Sequence, residues 1–144
     1  MDIKAVLFDC DGTMFDTEIV SQRMWQETAV KYGITLPDDF FLKITGGGSF
    51  NQFYEIPGFE QYVKDMMKKS MDCDFWGSIN KDCLNKKGLI ELFTYLKDNG
   101  YKIGICSSSP EAYVKTLLTD VSIDLPYDVM ICGDKVKEKK PSPE

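Results

Sequence analysis

Ile3-Lys4-Ala5-Val6-Leu7-Phe8-Asp9-Cys10-Asp11-Gly12 opens the chain with an almost continuous apolar run that stops abruptly in two carboxylates and a glycine. Such a run reads as a short strand buried on both faces of a parallel sheet, followed by a turn. Two later stretches repeat the pattern. Tyr101-Lys102-Ile103-Gly104-Ile105-Cys106 gives way to Ser107-Ser108-Ser109-Pro110, and Tyr127-Asp128-Val129-Met130-Ile131-Cys132 gives way to Gly133-Asp134. Between these two runs Ser109 stands as a helix N-cap with Pro110 at the first helical position, and Val114, Leu117 and Leu118 follow at i, i+3, i+4. Before the second run, Leu89, Leu92, Phe93 and Leu96 share one helical face, and Asn99-Gly100 closes that helix. Helix alternating with strand predicts an α/β fold, a parallel sheet joined by right-handed crossovers. Ligands of such sheets bind beyond the carboxyl ends of the strands, where the Asp and Ser clusters fall.

From about Asp16 to Leu84 no strand pattern is present. Helical periodicity covers Glu18 to Tyr32, Asp38 to Ile44, Ser49 to Ile56 and Phe59 to Met71, punctuated by Gly33, Gly46-Gly47-Gly48 and Pro57-Gly58. Residues 16–84 are therefore expected to form a helical insertion, with 1–15 and 85–144 forming the sheet domain. The aromatics and methionines of the insertion read as core rather than as ligand contacts.

Composition narrows the chemistry. The 144 residues carry a net charge of −6, and Arg23 is the single arginine, so a nucleic-acid partner finds no basic surface. No apolar run approaches the roughly 20 residues of a membrane span, and the N-terminus lacks the pattern of a secretory signal, so a cytoplasmic location is expected. Five cysteines at 10, 73, 83, 106 and 132, without close spacing, argue against a disulfide framework or a zinc site. With no histidine in the chain, Ser-His-Asp and Cys-His mechanisms are excluded. What remains is chemistry on carboxylates, hydroxyls, lysines and a hard metal ion.

Asp9 and Asp11 flank a single residue at the end of the first strand, so alternation sends both carboxylates to one side of the backbone. Crowded carboxylates repel unless a cation such as Mg²⁺ neutralises the pair, an arrangement that suits a nucleophile beside an acid/base; a solvated turn is the plainer reading. The stretch Asp9-Cys10-Asp11-Gly12-Thr13-Met14-Phe15-Asp16-Thr17-Glu18 after an N-terminal strand resembles the first signature of the haloacid dehalogenase-like hydrolase superfamily. Ser107, with Ser108 behind it, is similar to the second motif. Lys140 in Lys140-Pro141-Ser142-Pro143, preceded by Gly133-Asp134, is similar to the third.

The resemblance covers the whole chain and is nearest to the β-phosphoglucomutase-like phosphatases, which insert a helical cap after the first strand. It implies a Rossmann-like core with an inserted all-helical cap, and hydrolysis of a small phosphate ester, such as a sugar or nucleotide phosphate. Asp9 would be the nucleophile that forms an aspartyl-phosphate, and Asp11 the acid/base. The Asp9 carboxylate and the Asp11 carbonyl would hold Mg²⁺, and Ser107, the Ser108 amide and Lys140 would bind the phosphoryl oxygens, helped by the N-terminus of the helix at Pro110. Gly46 and Gly47 would belong to a specificity loop and Glu18 to the cap hinge; a connecting turn and an ordinary first-turn acid explain these three as well.

Two departures bear on the activity. Mutase members carry a histidine where this chain has Ser21 and an arginine where it has Ser49, so the resemblance favours a hydrolase over a mutase. The fourth motif, acidic residues after a further strand, is not reached before Glu144, which leads to the expectation of a core incomplete at its C-terminus and of a chain that is a fragment. A non-catalytic phosphate-binding form and a phospho-acceptor signalling domain are the competing readings, the second disfavoured by the position of Asp9 on the first strand and by the insertion.

Overall fold

The computed structural model describes residues 3–44, 49–79, 84–119, 125–138 and 140–142. Three short apolar runs form strands, β1 (Ala5–Phe8), β2 (Lys102–Cys106) and β3 (Val129–Ile131). They pair in the order β1-β2-β3, all parallel, with Phe8 opposite Ile105 and Cys106 opposite Ile131. The helices among the described residues are α1 (Thr17–Lys31), α2 (Phe40–Ile44), α3 (Phe59–Ser70), α4 (Cys73–Gly77), α5 (Leu89–Asp98) and α6 (Glu111–Thr119). None of them is long and apolar enough to cross a membrane.

The chain divides into two compact units, Met1–Thr17 with Asp72–Glu144, and Glu18–Met71. The division groups α4, which falls within the insertion expected from the sequence, with the sheet. Packing accounts for this: α4 lies against α6, and the buried Trp76 ring meets Tyr113 edge-on at 5.3 Å between centroids. The chain leaving β1 and the chain returning to the sheet also pair with each other. Asp16 N–H donates to the Leu84 carbonyl at 2.7 Å, Lys86 N–H donates to the Met14 carbonyl at 3.0 Å, and the Lys86 ammonium pairs with the Asp16 carboxylate.

In the sheet unit, Val6, Phe8, Ile103 and Ile105 share one face by strand alternation, and Phe8 packs on Phe93 of α5. The opposite face corrects the expectation of strands buried on both sides. Leu7 is 67% exposed, Val129 50% and Ile131 41%. Crossovers of one hand, stepping in one direction along a sheet, lay their helices on the same face, which leaves this one open. Gly104 lies between Leu7 and Val129 on that face, and a Cβ there would come within 2.5 Å of the Leu7 side chain.

The helical unit is built on rings. Trp25, Phe40, Phe59 and Tyr62 are buried, the Trp25 and Tyr62 rings meet edge-on, and the Tyr62 hydroxyl donates to the Trp25 carbonyl at 2.8 Å. The helix expected over Ser49 to Ile56 is only a 3₁₀ turn, Asn51–Phe53. Pro57 disfavours helical backbone at Ile56, and Gly58 follows at φ 77°, so the chain turns before a second helical turn can form.

Candidate active site

β1 delivers its carboxylates through a tight turn. Met14 and Phe15 N–H groups both donate to the Cys10 carbonyl, at 2.9 and 3.2 Å, and Gly12 takes φ 72°. Cys10 is fully buried and pins the turn to the core, leaving Asp9 and Asp11 on the other side of the backbone. Burial, reinforced by the charges of Asp11 and Asp9, pushes the Cys10 thiol well up, so it stays protonated and unreactive.

Asp9 meets Lys140 directly. The ammonium lies 2.6 Å from Asp9 Oδ1 and 2.7 Å from the Cys106 carbonyl, joining the ends of β1 and β2 through a residue 131 positions away from Asp9. Ser107 is buried just beyond β2; its N–H donates to the Ile131 carbonyl at 3.0 Å, and its Oγ accepts from Ser109 N–H at 3.0 Å. Ser108 is exposed, and its carbonyl lies so close to Gly133 that a Cβ on that residue would overlap the oxygen. Ser107, Ser108, Gly133, Glu138, Lys140 and Ser142 line one cavity of about 290 Å³ at the carboxyl ends of the strands.

Asp11 is held apart from Lys140 by different partners. Its Oδ1 accepts from Thr17 Oγ1 at 2.8 Å and from the Tyr113 hydroxyl at 2.9 Å, and its Oδ2 accepts from Ser109 Oγ at 2.8 Å. Thr17 and Tyr113 are buried, and burial followed by the Asp11 charge pushes the Tyr113 phenol up, so it remains a donor. Sequence reasoning missed all three hydroxyls. No local signal marks them, because Ser109 lies two residues before the first residue of α6 and its spacing of four from Tyr113 is not a spacing within that helix.

The structure corrects the reading of α6. Its first residue is Glu111, and the Glu111 N–H donates to the carboxylate of Asp134 at 3.0 Å, so Ser109 does not act as the cap and that amide is already engaged. Glu18 is exposed in the first turn of α1. Gly46 and Gly47 lie outside the described residues.

The sequence model of the haloacid dehalogenase-like hydrolases matches residues 6–144. The chain belongs to this family. A phosphorylated carbohydrates phosphatase of Thermotoga maritima is 26% identical over 99% of the chain and 67% of its own length. An N-acetylmuramic acid 6-phosphate phosphatase of Pseudomonas putida is 26% identical over 100% of the chain and 66% of its own length. The crystal structure of CbbY from Rhodobacter sphaeroides, in complex with xylulose-(1,5)bisphosphate, superposes with TM-score 0.69 at 23% identity, over 99% of the chain and 68% of that protein, and shares its fold. The chain thus spans about two thirds of the length of the curated relatives it matches.

Members of this family that act as phosphatases use Mg²⁺, and the donor set at the end of β1 fits such an ion in kind. The Asp9 carboxylate and the Asp11 main-chain carbonyl are hard oxygen donors close together in sequence that would suit such an ion, and Mg²⁺ is commonly held by one or two carboxylates with waters and phosphate oxygens completing its shell. Among the described residues no group of three or more His, Cys, Asp or Glu converges to enclose a metal.

Proposed function

We propose that this chain carries the catalytic groups of a phosphatase acting on a small phosphorylated metabolite, a sugar phosphate foremost. The observation that supports this most is the 2.6 Å contact of Lys140 with Asp9 beside a cavity that Ser107, Ser108 and Lys140 line together. A carboxylate with a cation already at hydrogen-bonding distance is arranged so that charge passed from carboxylate to phosphoryl group stays compensated. The relatives named for phosphorylated carbohydrates and for N-acetylmuramic acid 6-phosphate favour that substrate class.

In this reading Asp9 attacks phosphorus, forming a new P–O bond as the ester P–O bond breaks. Asp11 gives a proton to the departing alkoxide. Water then attacks the aspartyl-phosphate, Asp11 takes the water's proton, and Asp9 is regenerated with release of inorganic phosphate. Lys140, the Ser107 hydroxyl and the Ser108 amide hold the phosphoryl oxygens. Mg²⁺ on the Asp9 carboxylate and the Asp11 carbonyl would offset the negative charge of nucleophile and phosphate.

The test is phosphate release from a panel of sugar and nucleotide monophosphates, with and without Mg²⁺, beside the Asp9→Asn variant. The expected outcome is Mg²⁺-dependent turnover that falls at least ~10³-fold in Asp9→Asn, since an amide cannot serve as the nucleophile. Turnover that survives the substitution would refute the assignment of Asp9.

A further inference from the structure

We infer that Tyr113 is a positioning residue, one that fixes the orientation of the Asp11 side chain from which, as the protonated carboxyl group, the proton passes to the leaving group. The inference rests on the reading of Asp11 as the acid/base. Three hydroxyls from three parts of the sheet unit converge on that carboxylate: Thr17 at the start of α1, Ser109 after β2 and Tyr113 in α6. Ser109 sits on the loop after β2 and Thr17 is buried at the head of α1, while Tyr113 is 7% exposed within α6 and its ring is set edge-on against the buried Trp76 of α4. The phenol is therefore a donor whose place is set by ring packing inside a helix, away from the turn after β1 and the loop after β2.

Hydrogen bonds to both oxygens restrict rotation of the carboxyl group about its last torsion, and the Tyr113 bond shares Oδ1 with Thr17. Removing the phenol hydroxyl leaves Oδ1 with Thr17 and gives the carboxyl group a wider range of orientations. A general acid must lie within hydrogen-bond reach of the leaving oxygen, so a protonated carboxyl group held more loosely transfers its proton less often. The Tyr113→Phe substitution keeps the ring against Trp76, which separates loss of the hydroxyl from loss of packing.

The experiment compares kcat/KM for glucose 6-phosphate, whose alkoxide needs a proton to leave, with that for para-nitrophenyl phosphate, whose phenolate does not. The whole chain and its Tyr113→Phe, Ser109→Ala and Asp11→Asn variants are measured with Mg²⁺, together with melting temperatures. Tyr113→Phe is expected to lose about tenfold on glucose 6-phosphate and less than about twofold on the aryl ester, with an unchanged melting temperature, while Asp11→Asn shows the same selectivity in larger measure. Equal losses on both esters, or none on either, would make Tyr113 a packing residue and overturn the inference. Asp11→Asn without ester selectivity, or a parent chain that hydrolyses neither ester, would instead bring down the reading of Asp11 and this inference with it.

Discussion

Ser109 shows how one side chain can be claimed by two structures. A serine before a proline at the head of a helix caps that helix in the ordinary case, and here the cap comes from Asp134, 23 residues beyond Glu111, while the serine hydroxyl turns to Asp11. Gly133 is the backbone counterpart of that arrangement. Its N–H donates to the Ser109 carbonyl at 3.0 Å, and the chain passes so near Ser108 that no side chain fits. Gly133→Ala is expected to cost more than about 2 kcal/mol, because the clash is with main chain that cannot rotate away, and the midpoint of urea unfolding reads it directly. A midpoint unchanged within error would mean that the two loops separate in solution.

At the scale of elements, α6 carries both Tyr113 and an acid that ties it to the loop after β3. Lys115 and Lys135 converge on Glu111, at 2.5 and 2.9 Å, and their hydrogen bonds pull its carboxyl down from 4.5 to about 2. A carboxyl depressed in the folded state stabilises at pH above its unfolded value and ceases to do so as the pH falls through its folded value. The contribution of Glu111 is thus complete above about pH 4.5 and gone near pH 2. Melting temperatures of the parent and Glu111→Gln should accordingly converge as the pH is lowered across that interval; a constant gap would show that the bridge is not formed. The strands, α5 and most of the helical insertion were legible in the sequence because each is written in local periodicity and stop signals. Gly100, for instance, ends α5 at φ 75° as the Asn-Gly pair indicates. The partners of Asp11 were not legible, since a buried tyrosine on the apolar face of a helix has the same local pattern whether its hydroxyl finds a carboxylate or not. The 3₁₀ turn at Asn51–Phe53 stands where helical spacing indicated a longer helix, because an eight-residue stretch ending at a visible Pro57 is short enough to match that spacing without forming two full turns.

Across the whole molecule, one unit is organised by a sheet and the other by a cluster of rings, and the catalytic candidates other than Glu18, Gly46 and Gly47 belong to the sheet unit. Asp9, Asp11, Ser107, Ser108 and Lys140 come from three separate stretches of chain, which explains why motif order along the sequence could point to them while only the fold shows that Asp9 and Asp11 have different partners. The open sheet face with Leu7, Val129 and Ile131 has a thermodynamic signature of its own. Unfolding normally raises the heat capacity by about 12–15 cal/mol/K per residue, because apolar surface newly meets water. Side chains already hydrated in the native state add little to that increment, so Leu7→Thr, Val129→Thr and Ile131→Thr together should leave the calorimetric value unchanged within error, and a clear fall would mean that the face is covered in solution.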